Sequence, residues 1–223
     1  MTEVEWKTGR EPRPMLEAIR EGVDERKIRL FAVACCWDDT HWLWEGKASA
    51  AAVAAASQYA DGQATRTELQ LAWIAVGSQL RFKLEGGEPA WDPTYYASSS
   101  DIAFTAETCA YYSANRIGMM PEPQTDELAA EVFAAEACFQ ADLLRDIFGN
   151  PFRPVVFNPA WRTETAVGIA TGIYEDRAFE RMPILADALQ EAGCEHADIL
   201  SHCREPGTHV RGCWVVDLVL GKE

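Results

Sequence analysis

Residues 125–154 read TDELAAEVFAAEACFQADLLRDIFGNPFRP, and this stretch decides the fold. Thr125 stands as an N-cap, and Asp126 and Glu127 fall in the first turn, where carboxylates favour the positive end of the helix dipole. Leu128, Val132, Phe139, Leu143 and Ile147 then recur at helical spacing. Gly149 ends the helix, and Pro151 and Pro154 forbid its continuation. This predicts a mostly α protein, an irregular multi-helix bundle. The punctuation at Gly149 to Pro154 sets the internal boundary, with a helical domain at 1–149 and a small C-terminal helical subdomain at 150–223 packed on it.

Upstream, Asp24 is a candidate N-cap, and Ile28, Phe31, Ala32, Cys35 and Cys36 form one stripe of an amphipathic helix. A shorter helix is predicted at Met15 to Arg20, with Pro14 in its first turn. Ala48 to Ala60 is Ala-rich and helical, ended by Asp61-Gly62. Leu69, Trp73, Val76 and Leu80 mark a helix over Thr65 to Leu84, closed by Gly86-Gly87. Trp91 to Ser100 reads as a loop leading into a helix over Asp101 to Arg116, which Pro121 and Pro123 stop.

Downstream, Val155 to Phe157 reads as a short extended piece. Thr163 to Tyr174 has helical character weakened by Gly168 and Gly172. Arg181 to Ala192 is a better helix, with Pro183 near its start, Met182, Leu185 and Leu189 on one face and Gly193 at its end. Asp198 to Arg204 adds a short helix. Cys213 to Leu220 fits either a helix or a buried strand, and Gly221 at the C-cap position favours helix.

Lys and Arg total 20 against 35 Asp plus Glu, a net charge of -15 concentrated in residues 1–150. That balance argues against nucleic acid, whose phosphates reward clustered positive charge. No run of about 18 apolar residues exists, and Met1 to Glu5 lacks the basic and apolar regions of a signal peptide, so a cytoplasmic protein with no membrane partner is expected. Seven cysteines, two of them the adjacent Cys35-Cys36, fit reduced thiols or metal ligands better than a disulfide framework.

Asn150 to Val155, Met182 to Leu189 and His209 to Leu218, together with Arg29 to Cys36 and Tyr59 to Gly62, carry a likeness that spans both ends of the chain. In these stretches the chain resembles a large paralogous family of planctomycete proteins, and residues 63–125 look like its variable middle. The resemblance implies no activity and no catalytic residues.

The densest chemistry lies between Cys194 and Cys213, where Cys194, His196, His202, Cys203, His209 and Cys213 fall together. Zinc takes four ligands from thiolate and imidazole, and Cys194, His202, His209 and Cys213 make the most natural set. The spacing is irregular, with His209-x-x-x-Cys213 the best pair. The competing reading makes Cys203 and Cys213 small buried hydrophobes, with His202 and His209 donating to backbone carbonyls at helix ends. A second constellation is Asp38, His41 and Glu45, spaced so that carboxylates flank an imidazole on a helix, beside Trp37, Trp42 and Trp44. Its plainer reading is a helix end with solvated carboxylates and core tryptophans. Cys35 or Cys36 with His41 would complete a ligand set if they folded against the C-terminal cluster.

Nucleophile elbow, phosphate loop, His-Glu-x-x-His, dinucleotide fingerprint and paired Glu-x-x-His are all lacking. Scattered arginines, including Arg153, Arg162, Arg177, Arg181, Arg204 and Arg211, fit surface ion pairs better than an anion site. The expectation is therefore a non-enzymatic protein-interaction or regulatory module with a structural Cys/His-rich C-terminal segment and a protein partner. The alternative is a zinc-type metal-dependent enzyme using His202, His209 and Cys213, with water in an open fourth position.

Overall fold

The structure, a computed structural model, describes residues 1–22, 24–36, 47–84, 97–99 and 126–222, with backbone alone at 47, 48, 77–84, 126, 128 and 129. The trio Asp38, His41 and Glu45, the helix expected over 101–116, the loop around 91–96 and the Thr125 cap lie outside the described residues. Among the described residues there are ten α-helices and no strand, so the chain is a mostly α, multi-helix protein. No helix among them is long and apolar enough to cross a membrane.

The chain divides into two compact units, Met1–Leu144 and Arg145–Glu223. The division falls inside the long helix, short of the boundary expected after Gly149, so the last turn of that helix belongs to the C-terminal unit.

In the first unit, α1 (Glu3–Thr8) is held by a capping box: Glu5 N donates to Thr2 Oγ1 at 3.3 Å and Thr2 N donates to Glu5 Oε2 at 2.7 Å. It buries Trp6. The Thr-x-x-Glu signature was there to be read, although the helix has little apolar periodicity. α2 (Pro12–Ile19) starts a little before the expected position, with Pro12 rather than Pro14 at its start, and buries Met15, Leu16 and Ile19.

α3 (Glu25–Cys36) is entered as predicted, with Arg26 N donating to Asp24 Oδ1 at 3.0 Å. Its expected amphipathic character fails over the last two turns, because Arg29 through Cys36 are all buried. Arg29 tolerates this because its charge is met from several sides. Its Nη1 donates to the carbonyls of Ala97 (3.1 Å) and Ser99 (2.8 Å), its Nη2 donates to Glu25 Oε1 at 3.0 Å, and its guanidinium lies 5.0 Å from the Tyr59 ring centroid.

α4 (Lys47–Ala60) packs on α3 and on α5 (Arg66–Leu84), and small residues allow the close approach. Ala32, Val33, Cys36, Val53, Ala56 and Leu69 form their shared core. Thr65 and Glu68 make a second capping box at the start of α5, with Thr65 N donating to Glu68 Oε2 at 2.7 Å and Glu68 N donating to Thr65 Oγ1 at 3.3 Å. α6 (Asp126–Phe148) turns Ala137, Gln140, Ala141, Leu144 and Ile147 inward at helical spacing.

The second unit contains α7 (Glu164–Asp176), α8 (Met182–Glu191), α9 (Ala197–Arg204) and α10 (Trp214–Leu220). α7 packs on α8 and α10, and α9 packs on α8 and α10, around Ile173, Leu185, Leu189, Ile199, Val215 and Val219. Thr163 caps α7 by accepting from Ala166 N at 3.2 Å, and the two glycines do not break the helix: Gly172 leaves room for the Arg181 guanidinium. The final segment is helical, ended by the left-handed Gly221. Near its end, Asp217 O accepts from Lys222 N at 3.0 Å, and Arg162 donates from Nε and Nη2 to Leu218 O at 3.2 and 2.8 Å.

A candidate metal centre in the C-terminal unit

Gly149 ends α6 in the left-handed region (φ 63°), where glycine carries no steric penalty, and its N–H donates to Arg145 O at 3.0 Å. Asp146 is thereby held in the final turn, where it is buried. His202 sits in the last turn of α9, and His209 lies in the loop that follows. Cys213 is the N-cap of α10, set by a turn in which Cys213 N donates to Val210 O at 3.0 Å.

These four side chains meet. Asp146 Oδ1 lies 2.7 Å from His209 Nδ1 and 3.1 Å from His202 Nε2, and His202 Nε2 lies 3.2 Å from Cys213 Sγ. One donor atom from each residue lies within 4.8 Å of all the others. Val210 N donates to Asp146 Oδ2 at 2.8 Å and fixes the carboxylate. The Trp214 ring packs on His202 at 5.1 Å between centroids, and the two imidazoles meet edge to face at 4.9 Å.

Burial pushes the Asp146 carboxyl up, yet hydrogen bonds from His202 and His209, reinforced by their charge, outweigh it and hold the group below the ordinary value. Cys213 moves the other way. Burial raises its thiol well above the ordinary range, the Asp146 charge adds to this, and the Val216 and Val215 amides oppose it. A cation would reverse that balance, because both the carboxylate and the thiolate are favoured beside positive charge.

The geometry argues against a Cys-His-Asp triad through His202. In a triad the acid orients the imidazole through one nitrogen while the nucleophile uses the other. Here Cys213 and Asp146 both approach Nε2 of His202, and one N–H cannot point fully at two acceptors. Donors converging on a common point suit a metal ion. Zinc with nitrogen, oxygen and sulfur ligands at its usual bond lengths spaces its donors about 3.3–3.6 Å apart, a spacing that falls between the shortest separation here, 2.7 Å, and the 4.8 Å within which all four donors lie.

Three of the four ligands expected from sequence, His202, His209 and Cys213, are brought together. Cys194 is not among them. Its place is taken by Asp146, and Cys194 is buried in the helical core, where burial raises its thiol. The direction of its side chain follows from the left-handed turn at Gly193, which closes α8 with Cys194 N donating to Leu189 O at 2.9 Å. Cys203 is likewise core, its thiol pushed up to about 12 by burial and by the charge of Asp146. The competing expectation that the histidines donate to backbone carbonyls is not met, since both face Asp146. Cys35 and Cys36 are core residues of the first unit.

No family model, curated protein or solved structure matches the chain.

Proposed function

We propose that the chain is a non-catalytic interaction or regulatory module whose C-terminal unit is organised by a structural metal centre of zinc type at Asp146, His202, His209 and Cys213. The observation that carries this reading is the convergence of four donor atoms within 4.8 Å. With Asp146 and Cys213 ionised and both imidazoles neutral, the set carries two negative charges and neutralises a divalent cation. Its nitrogen and sulfur donors favour zinc over the hard cations, which prefer oxygen.

A catalytic zinc keeps a solvent-reachable position beside three protein ligands. The side chains of Asp146, His209 and His202 are only 2%, 9% and 19% exposed and Cys213 is fully buried, which supports four protein donors over three and the water that the enzymatic alternative requires. Closure by four protein ligands supports a structural role. The acidic chain, at net charge -15, suits a protein partner with a basic surface.

Elemental analysis of the purified chain, with thermal melts before and after chelation, tests the proposal. One zinc per chain and a lower Tm after chelation are expected. Absence of bound metal, with no change in Tm on adding either zinc or chelator, would remove the metal centre from the account.

A further inference from the structure

Cys194, Cys203 and Cys213 are 0%, 1% and 0% exposed and belong to one core cluster. They sit on the elements that the candidate centre ties together. Cys203 is the neighbour of His202 on α9, Cys194 lies just before α9, and Cys213 is both a donor and the N-cap of α10.

α9 has eight residues and α10 seven, lengths at which a helix in water does not persist without tertiary support. The unit they complete is under about 80 residues, a size at which a core commonly needs a staple such as a metal. The centre joins the end of α6, the end of α9 and the start of α10 through four donors. Loss of the cation therefore removes the link holding the two shortest helices over the shared core, and the cysteines in that core lose their cover together.

We infer that metal occupancy of this centre controls access to the three thiols of the C-terminal unit, which are shielded together when the metal is held and reactive together when it is lost. The inference rests on the metal reading above and adds to it a regulated output, the availability of three cysteines. The described cysteines of the N-terminal unit, Cys35, Cys36 and Cys138, take no part.

Pulsed alkylation of the full chain with iodoacetamide, mapped residue by residue by mass spectrometry and paired with zinc analysis of the same sample, tests it. In the zinc-loaded protein, half-buried Cys138 reacts and Cys194, Cys203 and Cys213 do not. Chelation should raise the rates at those three by at least about tenfold and in parallel, while Cys35 and Cys36 stay slow and added zinc restores protection. If zinc is bound and removed by chelator yet Cys194 and Cys203 stay protected, the shield is overturned and the metal centre stands. If the chain neither carries nor takes up zinc, both fall.

Discussion

Asp146 and His209, 63 residues apart in the chain, meet at 2.7 Å through Oδ1 and Nδ1, and the same oxygen lies 3.1 Å from His202. A buried carboxylate is costly unless its charge is met, and here the two imidazoles meet it. Asp146→Ala removes the shared acceptor, leaves Val210 N without its partner and faces two histidines with an apolar gap. Expected are loss of zinc binding and, with chelator present in both proteins, destabilisation by about 3–5 kcal/mol in urea unfolding. An Asp146→Ala protein that binds zinc as tightly as wild type would refute the assignment of this residue as a ligand.

Gly149 is required for two reasons. Its φ of 63° disfavours any side chain, and a Cβ there would stand 3.2 Å from the Trp214 ring, which itself packs on His202. Gly149→Ala should therefore cost roughly 1–3 kcal/mol and also weaken zinc binding by shifting Trp214 against an imidazole. Denaturant unfolding and a zinc competition assay give the two readouts. Unchanged stability would show that neither strain nor crowding acts at this position.

In the N-terminal unit, Arg29 satisfies the carbonyls of Ala97 and Ser99 from a fully buried position. Arg29→Met keeps much of the volume but leaves both carbonyls without this donor, and a loss of about 2–4 kcal/mol is expected. Arg29→Lys should recover only part of it, since an ammonium lacks the planar fork that reaches the two carbonyls and Glu25 together. Equal stability of the Lys variant and wild type would count against that account.

The capping box at Thr65 and Glu68 predicts a pH dependence. Hydrogen bonds from the Thr65 backbone and hydroxyl hold the Glu68 carboxyl below its ordinary value. A folded-state pKa below the unfolded one stabilises the fold at pH above the unfolded value of about 4.3, and this contribution disappears as pH falls through the folded value. An NMR titration should place Glu68 below the ordinary glutamate value. Glu68→Gln should lower Tm slightly at pH 7 and match wild type in strong acid; a constant difference at all pH values would contradict a charge effect.

Local chemistry made much of this protein legible from sequence. The Asp24 cap, the left-handed turns at Gly149, Gly193 and Gly221, and the apolar spacing of α5 and α8 act between residues a few positions apart, so they place helices without reference to the rest of the chain. His202, His209 and Cys213 were legible for the same reason, since short helices and turns leave them few ways to be far apart.

Asp146 was not legible. It reads as one more acidic residue on a helix, on the far side of the strongest break in the sequence, and joins the possible donors only because the last turn of α6 folds with the C-terminal unit. Cys194 shows the opposite case: its residue type suits zinc, but the turn after Gly193 places it in the core, outside the group of converging donors. Arg29 shares the lesson, appearing in the sequence as a polar interruption of an apolar stripe and being buried because distant carbonyls receive it.

The sequence by itself determined the helical character of the chain, many of its helix ends and which residues are chemically able to bind a metal. Only the tertiary structure decided which of those side chains converge. The physical reason is that helix and turn formation is set by short-range hydrogen bonding and dihedral preference. The burial of a charge or a thiol depends instead on partners that packing brings in from remote parts of the chain.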